Sequence, residues 1–289
     1  MRIFLTGATG HVGASVLSAL RRAGHSVVAL VRSPARAEAI ATAGVTPIVG
    51  DLADPDVYAG AAGSCDAIVH TAFEYGPAGE EDRERDERAV VALLASASPH
   101  LVYTSNAYLL DTTGREPVDE TVDVATVGRP GGTWRFALER RVLEAPIPAA
   151  IVRPGMVYGG QRGTVADLFA ARGSPIEAGP VRASVVYHHD LAELYRLVVE
   201  RRATGIFHGV DGQPLPASEL VRLVTEAGAG DPPGGRPAPH TLDVLHRDLA
   251  VTSPRSFHLG WRPRFPSFRD GAPTARAEWL HLHDEYGAR

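Results

Sequence analysis

The chain has 289 residues, 44% of them hydrophobic and 22% charged, enough to bury a substantial core; it is long for one domain and short for two independent ones. A formal charge of -5 without a concentrated basic patch argues against a nucleic-acid or anionic-membrane partner, and no apolar run is long enough to span a bilayer. Cys65 is the only cysteine, so no intrachain disulfide can form, and all 29 basic residues are arginines.

In chain order, Arg2 to Leu5 is an apolar run suited to a buried strand. Thr6-Gly7-Ala8-Thr9-Gly10-His11-Val12-Gly13 follows at once, and Ala14 to Ala23 reads as a helix with Val16, Leu17 and Leu20 on one face. Strand, glycine-rich turn and helix in this order form a dinucleotide-binding unit. Gly7 allows the reversal, Gly10 admits a pyrophosphate, and Gly13 allows close helix packing. Thr9, His11 and Val12 complete the expected cofactor loop, and the helix N-terminus offers N–H groups to the phosphates. Further strands are expected at Ser26 to Val31, Val45 to Val49, Ala67 to His70, Leu101 to Tyr103 and Ala149 to Arg153. Helices are expected at Pro34 to Ala43, Asp54 to Ala61, Asp86 to Ala97 and Trp134 to Leu143. The mixed-sign run Glu80 to Arg88 reads as a solvated helix start, and the Pro/Gly-rich stretch Asp231 to Pro239 as a surface connection. The alternation implies an α/β fold with a doubly wound parallel sheet, ligands at the carboxyl ends of its strands, and a smaller C-terminal lobe. The chain opens on a strand instead of a signal peptide, and a cytoplasmic location is expected.

The second strand ends Leu30-Val31-Arg32-Ser33, without the carboxylate that commonly holds a ribose 2′-hydroxyl, and Arg36 lies a turn further on. Guanidinium groups there suit a 2′-phosphate, so NADP(H) is expected over NAD(H).

The ordered set of the glycine loop, Gly50-Asp51-Leu52, His70-Thr71-Ala72, Tyr103-Thr104-Ser105, Arg153-Pro154-Gly155-Met156-Val157-Tyr158-Gly159 and Val186-Tyr187-His188-His189-Asp190-Leu191-Ala192 resembles the extended short-chain dehydrogenases/reductases, the nucleotide-sugar epimerase and dehydratase group. The resemblance implies that Asp51 and Leu52 meet the adenine, Thr71 and Ala72 the middle of the cofactor, and Pro154, Met156 and Val157 the nicotinamide. Thr104 also falls among the cofactor contacts. A Rossmann domain is expected over 1–155 and 183–212, and a substrate lobe over 156–182 and 213–289.

The chain departs from that pattern where the family carries Tyr-x-x-x-Lys. Gly131 falls at the tyrosine and Arg135 at the lysine, while Asn106 stands where the family has Ser or Thr, with Ser105 one residue earlier. Arg135 can still hydrogen-bond ribose hydroxyls, but it stays protonated and holds a different geometry. The Trp134-Arg135 pair resembles an atypical subgroup of the family. Tyr108, two residues beyond Asn106, is the expected proton donor, with Ser105, Asn106 and Arg135 as the other catalytic candidates. Tyr75, Gly131, Trp134, Tyr158 and His188 are the expected substrate contacts. His188-His189-Asp190 and His281-x-His283-Asp284 invite a metal reading, but adjacent strand residues face apart and no third convergent group is evident, so no metal is expected. Ser105 lacks the Gly-x-Ser-x-Gly elbow of a hydrolase.

The leading expectation is an NADP(H)-dependent oxidoreductase acting on a small or medium carbonyl, enone or imine compound. Its alternatives are a non-redox cyclase, dehydratase or epimerase on the same fold, and a catalytically inactive NADP(H)-sensing protein. A small molecule is the expected substrate and a second copy, in a homodimer, the expected protein partner.

Overall fold

The computed structural model describes residues 1–73, 80–96, 98–129, 133–171, 174–228 and 234–286. Its elements follow in chain order: β1 (Arg2–Thr6), α1 (His11–Arg22), β2 (Ser26–Val31), α2 (Pro34–Ile40), β3 (Val45–Val49), α3 (Pro55–Gly63), β4 (Ala67–His70), α4 (Glu80–Ala95) and β5 (Leu101–Thr104). A 3-10 turn at Ala107–Leu109 precedes α5 (Val124–Val127), α6 (Thr133–Leu143), β6 (Ala149–Pro154), β7 (Met156–Tyr158), α7 (Thr164–Ala170), β8 (Arg182–Ala183) and β9 (Val185–Tyr187). The chain continues through α8 (His188–Glu200), β10 (Gly205–Gly209), β11 (Leu215–Pro216), α9 (Ala217–Ala227), α10 (Pro239–Val244), α11 (Pro254–His258) and α12 (Phe268–Tyr286).

The chain forms two compact units. The first comprises 1–105, 134–152 and 192–206, the second 106–133, 153–191 and 207–289. This division differs from the expected boundaries chiefly in giving 106–133, 153–155, 183–191 and 207–212 to the second unit. The segment after Ser105 packs through Leu110 and Gly128, which bridge each other, and through Val118 against Val251.

A seven-stranded sheet in the order β10-β6-β5-β4-β1-β2-β3 organises the first unit, with every pairing from β3 to β6 parallel. The sequence accounts for this arrangement. Ile3, Phe4 and Leu5, Val27 to Val31 and Ala67 to Val69 are unbroken apolar runs, the pattern of strands covered on both faces. Phe4, Val28, Ile68, Leu101, Tyr103, Val142 and Ile151 form one core there. Helix α2 starts on Ser33, whose hydroxyl accepts from the Arg36 N–H, with Pro34 in its first turn. The fold is an α/β, doubly wound Rossmann-type sheet with additional C-terminal helices.

In the second unit, β7 runs parallel to β9 and β8 antiparallel to β11. Tyr158, Phe169, Val185, Leu220, Phe268 and Trp279 belong to its core. The Asp190 carboxylate accepts from the Arg264 and Phe265 N–H groups, and its carbonyl from the Trp261 indole, which fastens the start of α8 to the segment before α12.

Two expectations shift. Helix α4 begins at Glu80 rather than Asp86, and its charged first turns are not all solvated, since Asp82 and Asp86 are buried. His188 and His189 open α8 instead of lying in a strand.

Candidate active site

The loop between β1 and α1 is shaped by backbone proximity. Gly7 has a φ of +74°, and a Cβ there would stand 2.8 Å from the Ala72 nitrogen and the Thr71 carbonyl carbon. At Gly13 a Cβ would meet the Gly7 oxygen at 2.1 Å, so only glycine lets α1 pack this closely against the loop. Gly10 differs: among the described residues a Cβ there would come close to the Gly7 oxygen alone, at 3.1 Å. It is also the N-cap of α1 and supplies no side-chain cap to the first-turn N–H groups.

Hydrogen bonds hold the ends of β1 and β4 together. Thr71 Oγ1 donates to the Thr6 carbonyl at 2.7 Å, and the Ala72 N–H donates to Thr6 Oγ1 at 3.3 Å. Thr71 and Ala72 therefore stand beside the loop. Arg36 Nη1 donates to Thr9 Oγ1 at 2.7 Å, a local tie from α2 to the loop, and Arg32 is exposed at the end of β2. Asp51 is exposed, with Oδ1 accepting from the Ala53 N–H at 2.8 Å, and the Leu52 side chain packs against the first unit's core.

Below the loop lies a buried ionic nest that the sequence reading missed. Thr6 Oγ1 is 2.7 Å from His70 Nδ1, His70 Nε2 is 3.0 Å from Asp86 Oδ1, and the Tyr103 hydroxyl donates to Asp86 Oδ2 at 2.7 Å. Arg135 Nη2 stands 3.6 Å from the same carboxylate oxygen. Its guanidinium lies 3.9 Å from the Phe73 ring centroid and 4.7 Å from that of Trp134. Burial would raise the Asp86 carboxyl pKa, yet the His70 hydrogen bond and charge, the Arg135 charge and the Tyr103 hydroxyl together hold it below the usual range. Burial pushes the Tyr103 phenol well above its ordinary value. Arg135 is thus a fixed cation held between aromatic rings over a buried carboxylate. The available signal for Asp86 was helical spacing: Asp82, Asp86, Ala89, Val90 and Leu93 recur on one buried face.

At the end of β5 the candidates separate. The Ser105 N–H donates to the Val152 carbonyl at 2.8 Å, and its buried Oγ has no hydrogen-bond partner among the described residues. The Thr104 hydroxyl pairs with the Tyr195 hydroxyl at 2.7 Å. Asn106 Oδ1 accepts from the Tyr108 N–H at 2.7 Å, capping the 3-10 turn. That turn folds the Tyr108 phenol against the apolar cluster of the second unit, where burial drives its pKa far above the ordinary tyrosine range. The Tyr108 hydroxyl has no hydrogen-bond partner among the described residues, which counts against the expectation of Tyr108 as proton donor.

Several remaining candidates have packing roles. Met156 is buried in the second unit's core, Pro154 is buried and Val157 half-buried. Tyr158 is a core residue instead of a substrate contact: its ring sits edge-on to Phe268 at 4.9 Å, and a Cβ at Gly271 would touch its hydroxyl at 2.0 Å. Trp134 is half-buried beside Phe73. Tyr75 and Gly131 lie outside the described residues.

The ground for setting a metal aside is also corrected. His188 and His189 lie on the same turn of α8, with ring centroids 4.0 Å apart, and Glu278 of α12 is the third convergent group. His188 Nε2 is 3.3 Å from Glu278 Oε2, the Gly160 N–H donates to that oxygen at 3.1 Å, and the Tyr187 hydroxyl donates to Oε1.

Residues 7–193 match the family model described as NAD(P)H-binding. An uncharacterised protein of Schizosaccharomyces pombe is 30% identical, the match covering 91% of this chain and 95% of that protein. A Streptomyces protein, 3-diazoavenalumate denitrifying reductase, is 27% identical over 94% of this chain and 99% of its own. Among solved structures, the NAD complex of UDP-glucose 4-epimerase from Thermus thermophilus is similar with a TM-score of 0.74, 22% identity and coverage of 97% of this chain and 99% of that one. Other similar solved structures are likewise NAD complexes. This overturns the expectation of NADP(H) over NAD(H), and the Arg36 tie to Thr9 shows one of the two arginines engaged by the protein itself. No described helix is long and apolar enough to cross a membrane.

Proposed function

The chain belongs to the NAD(P)H-binding family, within the epimerase/dehydratase group of extended short-chain dehydrogenases/reductases, and is an enzyme; from that premise we propose that it binds NAD on the β1–α1 loop and acts at a carbonyl or carbinol carbon of a small or medium substrate, in the epimerase/dehydratase manner. The observation that carries this reading is the β1–α1 loop itself, where Cβ atoms at Gly7 and Gly13 would strike backbone and one at Gly10 would meet, among the described residues, the Gly7 oxygen alone. NAD, when bound, accepts or returns a hydride at that carbon.

The chain's own residues supply the rest. The N–H groups of Val12 and Gly13 receive the pyrophosphate, Thr71 and Ala72 line its path, and Asp51 and Leu52 take the adenine side. Arg135, fixed by Asp86 and the two aromatic rings, holds ribose hydroxyls and sets a constant positive charge beside the reacting oxygen. Ser105 Oγ, buried at the end of β5, hydrogen-bonds the substrate oxygen and relays its proton to water. Residues 106–133, 153–191 and 207–289 bind the substrate.

A second reading, net reduction of a carbonyl or related group, is favoured by the Streptomyces relative that bears the name of a reductase. One experiment separates the two. Substrate panels are incubated with the protein and NAD or NADH deuterated at nicotinamide C4, and the products are analysed by mass. Epimerase/dehydratase action converts substrate without net change in NADH absorbance; net reduction consumes NADH and deposits one deuterium per product. No conversion by either route, with NAD bound, refutes both.

A further inference from the structure

Two imidazoles and a carboxylate meet in the second unit away from the dinucleotide loop. The donor atoms of His188, His189 and Glu278 all lie within 4.8 Å of one another, and all three side chains are half-buried. The His188 Nε2 to Glu278 Oε2 distance is 3.3 Å. Donors bound at roughly 2.1 Å to a tetrahedral zinc ion stand roughly 3.4 Å apart, so that edge already has the required length and the others, within 4.8 Å, need contraction of at most about 1.4 Å. Side-chain rotation supplies shifts of this size without moving the backbone.

Three features favour a cation over a mere ion pair. The two imidazole rings lie 4.0 Å apart and only 31° from parallel, a spacing at which two imidazolium charges would repel strongly. That proximity lets both rings offer a nitrogen to a single ion. Glu278 is oriented from behind by the Tyr187 hydroxyl on Oε1 and the Gly160 N–H on Oε2, the kind of outer support that fixes a ligating carboxylate. Finally, the ligands come from two separate elements, the first turn of α8 and the middle of α12, and the Gly159–Gly160 turn closes over the pair. A Cβ at Gly159 would approach the His188 ring to 2.3 Å.

We propose that His188, His189 and Glu278 form a binding site for a divalent transition-metal cation, zinc foremost, with a fourth position left for water or a ligand. Two nitrogens and one oxygen select zinc, nickel, copper or cobalt over magnesium and calcium, which prefer all-oxygen shells. By joining α8 to α12, the ion stabilises the second unit.

The test uses the untagged full-length chain, freed of metal with a chelator and titrated with zinc chloride alone and cobalt chloride alone. One equivalent of zinc is expected to bind, cobalt to give the visible absorption of a four- or five-coordinate centre, and magnesium chloride to give neither. His189→Ala and Glu278→Gln should each abolish the stoichiometric site while far-ultraviolet circular dichroism stays unchanged. Tyr187→Phe keeps all three ligands and should weaken zinc by about tenfold to a hundredfold, as loss of outer support does. The melting temperature should rise with zinc in the parent chain and stay flat in His189→Ala. Absence of a saturable equivalent in the parent chain overturns the proposal, as does zinc binding unaltered in both ligand variants.

Discussion

Replacing Asp86 by asparagine removes the charge from the buried nest while keeping its shape. Asp86 and Arg135 are each 3% exposed, so the arginine left behind has little access to water. Removing one partner of a buried ion pair costs about 3–5 kcal/mol. The 3.6 Å separation exceeds hydrogen-bond length, which places the electrostatic loss at the lower end, about 3 kcal/mol. An asparagine oxygen cannot replace both acceptors, so either His70 or Tyr103 loses its bond at a further cost of about 1 kcal/mol. The expected destabilisation is about 4 kcal/mol, read from the midpoint of urea unfolding at constant m-value. Adding Arg135→Met should recover at least about 1.5 kcal/mol, because the stranded charge is then gone. The acid limb gives an independent reading. Asp86 has a depressed folded-state pKa, so its contribution is present above the ordinary value of 3.8 and is lost as pH falls through the folded one. The variant should therefore lose less stability than the parent on acidification. A loss under about 1 kcal/mol, or strict additivity with Arg135→Met, would refute the nest as a coupled unit.

Gly10→Val should abolish NAD binding in calorimetric titration with a stability change under about 1 kcal/mol, whereas Gly13→Ala, whose Cβ meets backbone, should cost about 1–3 kcal/mol in unfolding experiments. Equal NAD affinity in Gly10→Val and the parent would remove the loop assignment. Asp211 is driven up to about 7, first by burial, with Asp190 and Asp270 adding to the rise, while the Gln213 N–H opposes it. A raised acid binds more protons folded than unfolded, so stability should fall as pH rises from 3.8 towards about 7, and Asp211→Asn should flatten that decline; parallel pH profiles would contradict it. Tyr108→Phe should leave turnover within about threefold and stability unchanged or higher, since it deletes a buried hydroxyl that lacks a partner among the described residues. A fall of about a hundredfold or more would restore that phenol as the acid.

The order of elements was legible in the sequence because its causes are local. Unbroken apolar runs at Ile3–Leu5, Val27–Val31 and Ala67–Val69 dictate strands covered on both faces, and glycines set at 7, 10 and 13 dictate the turn whatever surrounds them. The missing lysine was likewise visible at once. What held Arg135 was not visible. Asp86 lies within a mixed-sign run that reads as solvated, and only the packing of α4 against the ends of β4 and β5 carries it to His70 and Tyr103. The same reason separates the other misreadings. Tyr108 stands two residues past Asn106 in any reading, but the 3-10 turn decides that its ring enters an apolar cluster. His188 and Glu278 are 90 residues apart, and no periodicity connects them; α12 returning across the start of α8 does. Local residue chemistry determined the strands, the cofactor loop and the departure from the Tyr-Lys pair, while the electrostatic partners of buried groups were decided by contacts between distant segments, because desolvation exists only once the chain has closed around them.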